Sequence, residues 1–509
     1  MQTEVLFSLA LYFIGMMAIG YYAYKKSTDD VSGYMLGGRN LHPAVASLSA
    51  GASDMSGWML MGLPGALYVS GLADAWIAIG LMIGAFFNYL LVAPRLRIYT
   101  EHADDAVTIP DYLEQRFEDR SHSLRVLSSV VIIIFFTLYT SAGLVAGGKL
   151  FETSFGMSYE IGLVVTASVV VAYTLFGGFL AVSLTDFVQG CIMFVALILV
   201  PIVALFELGG PSATIAILES SDVDYLNLFN NFTVLGLISS LAWGLGYFGQ
   251  PHIIVRFMAI RSLPEVKTAR HIGMSWMLIT VIGAILTGLV GFAYVKETSA
   301  VLDDPETIFI LLSEVLFHPL ITGFLLAAIL AAVMSTISSQ LLVSSSSLTE
   351  DFYKMFVRKE ASQKELVLIG RLAVLGVSIV AIFLAMDRSS NILSLVSNAW
   401  AGFGSTFGPI ILLSLYWRNF NRRGALSALV AGSVTVLLWI YMPIDDAGTT
   451  LSSYVYELAP GFLVGLLAAI IGAKTSNNLS ARSLEWFDHV DGVIKGKESV
   501  EDTPPEPKV

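Results

Sequence analysis

The chain has 509 residues, of which 55% are hydrophobic and only 13% are charged. A soluble domain cannot bury so much apolar sequence, so the composition predicts a polytopic helical membrane protein. The formal net charge of -12 comes from acidic residues in exterior loops and in the C-terminal tail, which offer no basic surface to nucleic acid. A single cysteine, Cys191, excludes an intramolecular disulfide.

Apolar stretches of roughly 20 residues predict about thirteen membrane-spanning helices, which we number as spans 1 to 13. The first stretch has no basic residue before it and is followed by Lys25 and Lys26, so it is a span and not a signal peptide. The predicted spans cover residues 5–24, 44–69, 73–94, 125–150, 160–182, 187–208, 229–251, 272–295, 319–347, 366–386, 391–417, 424–443 and 455–473.

Basic residues in the loops fall almost entirely on one side of the predicted membrane, which we call the basic side. Only Lys149, Lys296 and Arg388 fall on the other side. The positive-inside rule makes the basic side cytoplasmic, with the N-terminus outside and the C-terminus inside. Residues 1–475 are thus predicted to form one transmembrane domain, and the polar cytoplasmic tail over 476–509 is predicted to be disordered because it has few apolar residues.

Two spans contain helix-breaking residues deep in apolar sequence. Span 2 contains Asp54 and Gly57, and span 7 contains three glycines and Pro251 within the eight residues 244–251. These spans lie five apart and enter the membrane from opposite sides. The pattern predicts an inverted repeat of five plus five helices, with core repeats over about 44–208 and 229–417.

The break in span 2 carries a carboxylate, because residues 50–58 read AGASDMSGW with Asp54 at the centre. Broken backbone at membrane depth persists only where protein or a polar cavity satisfies it, and an intramembrane carboxylate is costly enough to indicate function. We predict that Asp54 strengthens cation binding or orders the break. The alternative is a purely structural buried carboxyl, and the hydroxyls of Ser53 and Ser56 fit a ligand or the backbone equally well.

Span 9 is rich in serine, and Ala332, Ser335 and Thr336 stand at positions i, i+3 and i+4. This spacing places a carbonyl and two hydroxyls on one helical face. Sodium is a hard cation that prefers oxygen ligands, by the same argument that applies to calcium, so this face is a candidate sodium site. The alternative is that the hydroxyls bond their own i-4 carbonyls or join neighbouring helices.

A third group is aromatic and lies at predicted mid-span positions or beside the breaks. It comprises Trp58, Tyr139 in span 4, and Trp243 with Tyr247 in span 7. Trp243 and Tyr247 are four residues apart and are predicted to share one helical face. We interpret the group as the wall of a pocket for a small zwitterion, with hydroxyl and indole donors for its carboxylate. The alternative is an interfacial aromatic belt.

The sequence gives only weak evidence for further functional residues. Asp186, at the cytoplasmic end of span 5, belongs either to a second ionic site or to a helix-end anchor. The seven histidines show no metal-ligand spacing, and the sequence carries no nucleophile motif, phosphate loop or nucleotide fingerprint. We therefore expect no enzyme activity, no cofactor and neither nucleic acid nor nucleotide as a partner.

Five strings in order along the chain resemble the sodium:solute symporter family, and most closely its bacterial sodium/proline symporters. They are GYMLGGR at 33–39, SDMSGW at 53–58, MGLPG at 61–65, FGGFLA at 176–181 and MST at 334–336. The resemblance covers residues 1 to 475. It implies an all-α, LeuT-like inverted-repeat fold and sodium-coupled import of L-proline across a bacterial cell membrane by alternating access.

The resemblance also implies roles for individual residues. A sodium ion would lie between spans 2 and 9, proline would rest against the aromatic group, and Arg39 would take part in gating. The implied sodium ligands are the carbonyls of Ala52, Met55 and Ala332 and the hydroxyls of Ser335 and Thr336. The residues implied in sodium coupling are Asp54, Ser56, Gly57 and Asp186, and those implied in proline binding are Trp58, Tyr139, Trp243, Tyr247 and Pro251.

Three alternative functions would each require a feature that the sequence does not favour. Another symporter of the family would carry a sugar, pantothenate or another carboxylate, and a sugar site would need more amide and charged groups than the aromatic set offers. A channel would need a continuous polar pore. A membrane sensor would need a signalling domain, for which the short tail leaves no room.

Overall fold

The structure is a computed structural model that describes residues 3–26, 31–221, 224–230, 233–387, 391–445, 448–476 and 479–499. Within these ranges the chain is almost entirely helical. Nine helices of the described chain are long and apolar enough to cross a membrane, and three shorter apolar helices accompany them. Arg388 and the tail beyond residue 499 lie outside the described residues.

Each predicted span coincides with one helix or with two or three consecutive helical segments, except that spans 5 and 6 share one long helix. In chain order these are Thr3–Lys26; Pro43–Asp54 with Trp58–Gly62 and Leu63–Ser70; Ala75–Phe87 with Asn88–Val92 and Ala93–His102; Ser123–Phe155; Tyr159–Glu207, which holds spans 5 and 6; Val234–Ala242 with Trp243–Gly249 and Pro251–Ala259; Leu263–Thr298; Pro319–Ser346 with Ser347–Val357; Gln363–Leu384; Ile392–Tyr416; Arg422–Tyr441; and Leu458–Lys474. Helices satisfy their own backbone groups, which is why they suit a bilayer.

Shorter helices connect the spans or lie outside them. They are Val31–Leu36, Gly37–Arg39, Gly71–Asp74, Ile109–Phe117, Pro211–Ser221, Pro305–Thr307, Ile308–Leu316, Leu451–Ser453 and Ala481–Ile494.

Spans 4, 9 and 11 form the most enclosed part of the bundle. In their most apolar windows 72%, 83% and 83% of the residues are buried, against 28% for span 1 and 33% for span 12. The exposed residues of these peripheral spans are largely apolar, as expected for side chains that face lipid. The enclosed spans are therefore the ones that can line an internal site.

Both predicted breaks are present. The first helix of span 2 ends at Asp54, and Met55 leaves helical geometry with φ -81° and ψ 73°. In span 7 a 3-10 helix runs over Trp243–Gly249, Gln250 is extended, and a new helix begins at Pro251. Proline suits the first turn of a helix because the backbone N–H that it lacks would have no partner there.

The boundary between spans 5 and 6 differs from the prediction. We expected a loop over residues 183–186, but the chain turns at Gly178, whose φ of 56° and ψ of -151° interrupt the helix Tyr159–Glu207. Only glycine adopts this conformation readily. Asp186 therefore lies inside span 6, well past the turn, and not at a helix end.

The prediction of a disordered tail is wrong for residues 481–494. Ala481–Ile494 is a helix that buries Trp486 and Phe487, and Asp491 forms an ion pair of 2.8 Å with Arg95 at the end of span 3. The tail is polar on average, but its few apolar residues recur at helical spacing and form one apolar face. Average composition therefore missed an amphipathic helix.

The turn at Gly178 leaves no room for a side chain. A Cβ atom there would lie 2.6 Å from the carbonyl oxygen of Tyr34, in addition to the strained φ. We expect Gly178→Ala to lower the free energy of unfolding by about 1–3 kcal/mol or more, measured as thermal unfolding in detergent. Gly376→Ala is the matched control, because nothing lies within 4 Å of that position, and it should leave the melting temperature unchanged or slightly raised. Equal stability of both variants would contradict the assigned turn.

Candidate functional site

The end of the first helix of span 2 meets span 9 at a group of buried oxygen atoms. Ser335 Oγ donates to the carbonyl oxygen of Ala52 at 2.7 Å and lies 3.1 Å from the carbonyl oxygen of Ala332. Thr336 Oγ1 also lies 3.1 Å from the Ala332 oxygen. All four residues are at most 1% exposed. The structure thus brings together four of the five predicted sodium ligands.

The Ala52 carbonyl is available because the helix stops. A helical carbonyl normally accepts from the N–H four residues later, which for Ala52 is the N–H of Ser56. The Ser56 N–H instead bonds the carbonyl oxygen of Asp54 at 2.9 Å. Ser335 therefore satisfies an oxygen atom that the break has released.

Met55, the fifth predicted ligand, lies at the break and is fully buried. Its N–H bonds the Gly51 carbonyl at 2.9 Å, and its non-helical ψ turns its own carbonyl away from the helix axis. Its sulfur atom lies 3.6 Å from the hydroxyl of Thr280 in span 8. The ligand role of the Met55 carbonyl stays a prediction.

Asp54 joins the two breaks. Its side-chain oxygen Oδ2 accepts a hydrogen bond from the hydroxyl of Tyr247, and its backbone carbonyl accepts from the indole N–H of Trp58 at 3.0 Å. The residue is 2% exposed, and among the described residues its other oxygen, Oδ1, has no hydrogen-bond partner. One carboxylate oxygen thus fixes span 7 to span 2, while the other stays available to a ligand.

Gly57 and Ser56 complete the break. A Cβ atom at Gly57 would lie 2.9 Å from the Cβ of Ala146 and 3.4 Å from Val333, so the glycine lets the break pack against spans 4 and 9. Ser56 Oγ lies 3.5 Å from the N–H of Trp58. Ser56 also lies within reach of the Tyr139 hydroxyl, so its role in coupling stays a prediction, and Gly57 permits close packing.

The aromatic group is only partly as predicted. Trp243 and Tyr247 lie in a 3-10 helix, with about three residues per turn, so residues four apart do not share a face. The Trp243 ring stacks on Tyr456 at 5.0 Å, whereas the Tyr247 hydroxyl reaches Asp54. Trp400 of span 11 links the two, because its indole donates to the Trp243 carbonyl at 2.8 Å and its ring lies 5.1 Å from Tyr247.

Tyr139 lies deep in span 4 and is 1% exposed, which excludes the interfacial belt for this residue. Its ring makes an edge contact of 6.1 Å with His252, the residue after Pro251. The Tyr139 hydroxyl lies within reach of Ser56, and the His252 imidazole lies within reach of the Ser53 backbone. Tyr139 and His252 therefore border the break in span 2.

Asp186 forms a buried ion pair with Arg256, at 3.2 Å and with both side chains 0% exposed. Asp186 also accepts from Ser49 at 2.7 Å, and Arg256 donates to Ser339 at 2.5 Å. The helix-end alternative for Asp186 is therefore wrong. Arg256 falls between the predicted spans 7 and 8, but the structure places it inside the second helix of span 7, Pro251–Ala259.

Arg39 holds three elements together on the basic side. Its guanidinium pairs with Asp105 at 2.6 Å and donates to the carbonyl oxygens of Ala106 at 2.7 Å and of Met258 at 3.1 Å. It also contacts the hydroxyl of Thr100 at 3.0 Å. The residue therefore ties the segment before span 2 to the ends of spans 3 and 7.

Sequence reasoning missed Arg256, Trp400 and Tyr456. A signal existed for Arg256, since it stands in the apolar run HIIVRFMAI at 252–260, and a charge in such a run needs a buried partner. Trp400 and Tyr456 belong to spans 11 and 13, which the inverted repeat did not connect to the breaks.

The model of the sodium:solute symporter family matches residues 34–432. The chain belongs to the sodium:solute symporter family. It is 56% identical to the osmoregulated proline transporter OpuE of Bacillus subtilis over 98% of this chain and 100% of that protein. It is 59% identical to the high-affinity proline transporter PutP of the same organism, over 89% of this chain and 94% of that protein.

One further relative agrees in family, and two solved structures agree in fold. A sodium/proline symporter of Staphylococcus aureus is 52% identical over 97% of both chains. The substrate-bound, outward-open structure of a Na+-coupled sialic acid symporter has a TM-score of 0.80 at 19% identity, over 94% of this chain and 99% of that one. Mhp1, a nucleobase-cation-symport-1 family transporter, has a TM-score of 0.54 at 13% identity, over 89% and 98%. The predicted inverted-repeat transporter fold is thereby confirmed.

The bond between Tyr247 and Asp54 can be tested by a double-mutant cycle. Tyr247→Phe removes the only hydroxyl in that bond and should lower the free energy of unfolding by about 1–3 kcal/mol, because a buried acceptor loses its donor. In an Asp54→Asn background the same change should cost clearly less. Denaturation of the wild type, the two single variants and the double variant in one detergent gives the coupling free energy between Tyr247 and Asp54. An equal loss in both backgrounds would mean that the two residues are independent.

Proposed function

We propose that this protein is a sodium-coupled symporter that imports L-proline across a bacterial cell membrane. The observation that carries the proposal is the convergence of the Ala52 and Ala332 carbonyls with the Ser335 and Thr336 hydroxyls, where Ala52 stands two residues before the buried Asp54. The named proline transporters and sodium/proline symporters among its relatives support both solutes.

Sodium would bind at the crossing of spans 2 and 9. The carbonyls of Ala52, Met55 and Ala332 and the hydroxyls of Ser335 and Thr336 would be its ligands, because a hard cation prefers oxygen. The Ser335 hydroxyl now donates its proton to Ala52, and on rotation it would turn a lone pair towards the ion. The Asp54 carboxylate would offset the charge of the ion, which is costly at membrane depth.

Proline would bind between the two breaks. Trp58 and Tyr247 contact Asp54, and the Tyr139 ring contacts His252, the residue after Pro251. Trp243, which stacks on Tyr456, would form the span 7 side of this pocket. Aromatic faces suit the pyrrolidine ring, and a buried hydroxyl suits the carboxylate. The aromatic composition of this wall supports proline over a sugar.

The basic side would be cytoplasmic, with the N-terminus outside and the C-terminus inside. Arg39 would then be an inner gate, since it joins the ends of spans 3 and 7 to the segment before span 2. Release inward would require those contacts to separate. Asp186, held by Arg256, would take part in sodium coupling through Ser49, which lies on the first helix of span 2.

The driving forces are sufficient for import without ATP. A membrane potential of about 100 mV contributes roughly 2.3 kcal/mol per charge, and a tenfold sodium gradient adds about 1.4 kcal/mol. One sodium ion per proline would therefore sustain accumulation of about a few hundredfold.

Uptake into proteoliposomes tests the proposal. Radiolabelled proline should accumulate when a sodium gradient is imposed, and neither a potassium nor a proton gradient should replace it. Unlabelled sugars, pantothenate and other carboxylates serve as competitors, and proline should compete best. Equal entry of proline without any sodium gradient or potential would refute the coupling, and better competition by another solute would refute the substrate.

The sodium ligands are tested by Ser335→Ala and Thr336→Ala. Each removes one cation ligand without adding bulk, so the sodium concentration for half-maximal uptake should rise by about tenfold. Proline affinity should fall at low sodium and recover at saturating sodium, because the coupling between the two solutes is reciprocal. Titration of proline binding at several sodium concentrations measures both effects.

Ser346→Ala is the matched control for these variants. Ser346 lies on the same helix, is buried, and bonds only the Leu342 carbonyl at 2.8 Å among the contacts of its side chain. It should titrate like the wild type. A loss of proline affinity in the Ser335 or Thr336 variants that excess sodium cannot reverse would instead place those hydroxyls on the substrate.

A further inference from the structure

A small cavity of about 20 Å³ lies beside Asp54, towards the basic side of the break in span 2. The polar residues of its wall come from spans 2, 3 and 7 and are Ser47, Asp54, Asn88, Tyr89 and Tyr247. The rest of the wall is apolar and comes from spans 2, 3 and 8 and from the second helix of span 7. The cavity therefore lies between the candidate sodium site and the basic side.

Asn88 belongs to neither the proposed sodium site nor the proposed proline pocket. It is 1% exposed, and neither its amide oxygen nor its amide nitrogen has a hydrogen-bond partner among the described residues. It begins a π-helical turn over Asn88–Val92, a distortion that is frequent at functional sites. A buried amide with both polar atoms unpaired requires a ligand or an ordered water molecule.

The cavity has the size and chemistry for one small polar occupant. About 10–15 Å³ is needed to hold a water molecule, and a partner of that size needs two to four polar contacts. The free Oδ1 of Asp54 and the amide oxygen of Asn88 both belong to residues of this wall. A carboxylate and a neutral oxygen together are the ligand types that a hard monovalent cation prefers.

We propose that this cavity is a second station for the sodium ion, which it occupies after leaving Ala52 and Ser335 towards the basic side. The amide oxygen of Asn88 and the carboxylate of Asp54 are its ligands there. Asp54 lines the cavity and stands two residues after Ala52 of the first site, so the ion would have a carboxylate close to its path. The inference rests on the proposed sodium-coupled function and adds a binding residue for the release of the ion.

Two modes of transport in proteoliposomes separate sodium release from the other steps. Net uptake, with high sodium outside and little inside, requires the ion to leave on every cycle. Proline exchange, with equal saturating sodium on both sides, does not. In Asn88→Leu, which keeps similar bulk without polar atoms, net uptake should fall by about tenfold while exchange stays within about twofold of the wild type.

Two further variants control for packing. Asn88→Asp keeps an oxygen ligand and should preserve the ratio of net uptake to exchange better than the leucine variant does. Leu81→Met alters a buried apolar residue two turns earlier on span 3 and should leave the ratio unchanged, because volume-conserving swaps are well tolerated.

Each remaining outcome overturns the proposal. If Asn88→Leu leaves both modes unchanged, the cavity holds only water. If both modes fall equally, Asn88 supports the fold or the common conformational step and binds no ion. A failure of the proposed function itself would be visible separately, as uptake by the wild-type protein that does not depend on sodium.

Discussion

The constraint on which the structure depends is that two broken helices inside a membrane must satisfy each other. Most residues at the two breaks are buried, so their backbone and side-chain polar groups need partners within the protein or a bound ligand. Asp54 is a hydrogen-bond acceptor for both spans. Its carbonyl accepts from Trp58 in its own span, and its carboxylate accepts from Tyr247 in span 7. The Ala52 oxygen, which only a rotatable hydroxyl satisfies, and the second carboxylate oxygen of Asp54 are the ones that can receive a cation.

The basic side is closed by a different kind of contact. Arg39 makes most of its hydrogen bonds to carbonyl and hydroxyl oxygens, and its carboxylate partner, Asp105, is more than half exposed. Such bonds can exchange for water when the ends of spans 3 and 7 separate, so opening does not strand a buried charge. Arg256 and Asp186 differ, because both are fully buried and separation would leave each unpaired. The first contact suits a gate and the second suits a permanent brace.

The sequence predicted the fold well because bilayer constraints are strong, and it predicted the site less well because local geometry at a break is not periodic. The helix break at Asp54 follows from glycines and a carboxylate in apolar sequence. The face shared by Trp243 and Tyr247 assumed α-helical spacing, which the 3-10 turn does not have. Asp186 was placed at a helix end because glycine at 178 was not recognised as the turn. The C-terminal helix was missed because average polarity hides a single apolar face.

Under the proposed function, the same carboxylate explains how two solutes affect each other. Asp54 is held by Tyr247, a residue of the substrate wall, and stands two residues after Ala52, a residue of the cation site. An ion that orders the end of the first helix of span 2 therefore also orders the acceptor for Tyr247. A hydrogen bond to a charged group contributes about 1.5–3 kcal/mol, and coupling free energies between two sites are typically about 1–3 kcal/mol. One shared bond is thus large enough to account for the coupling, and no longer pathway through the bundle is required.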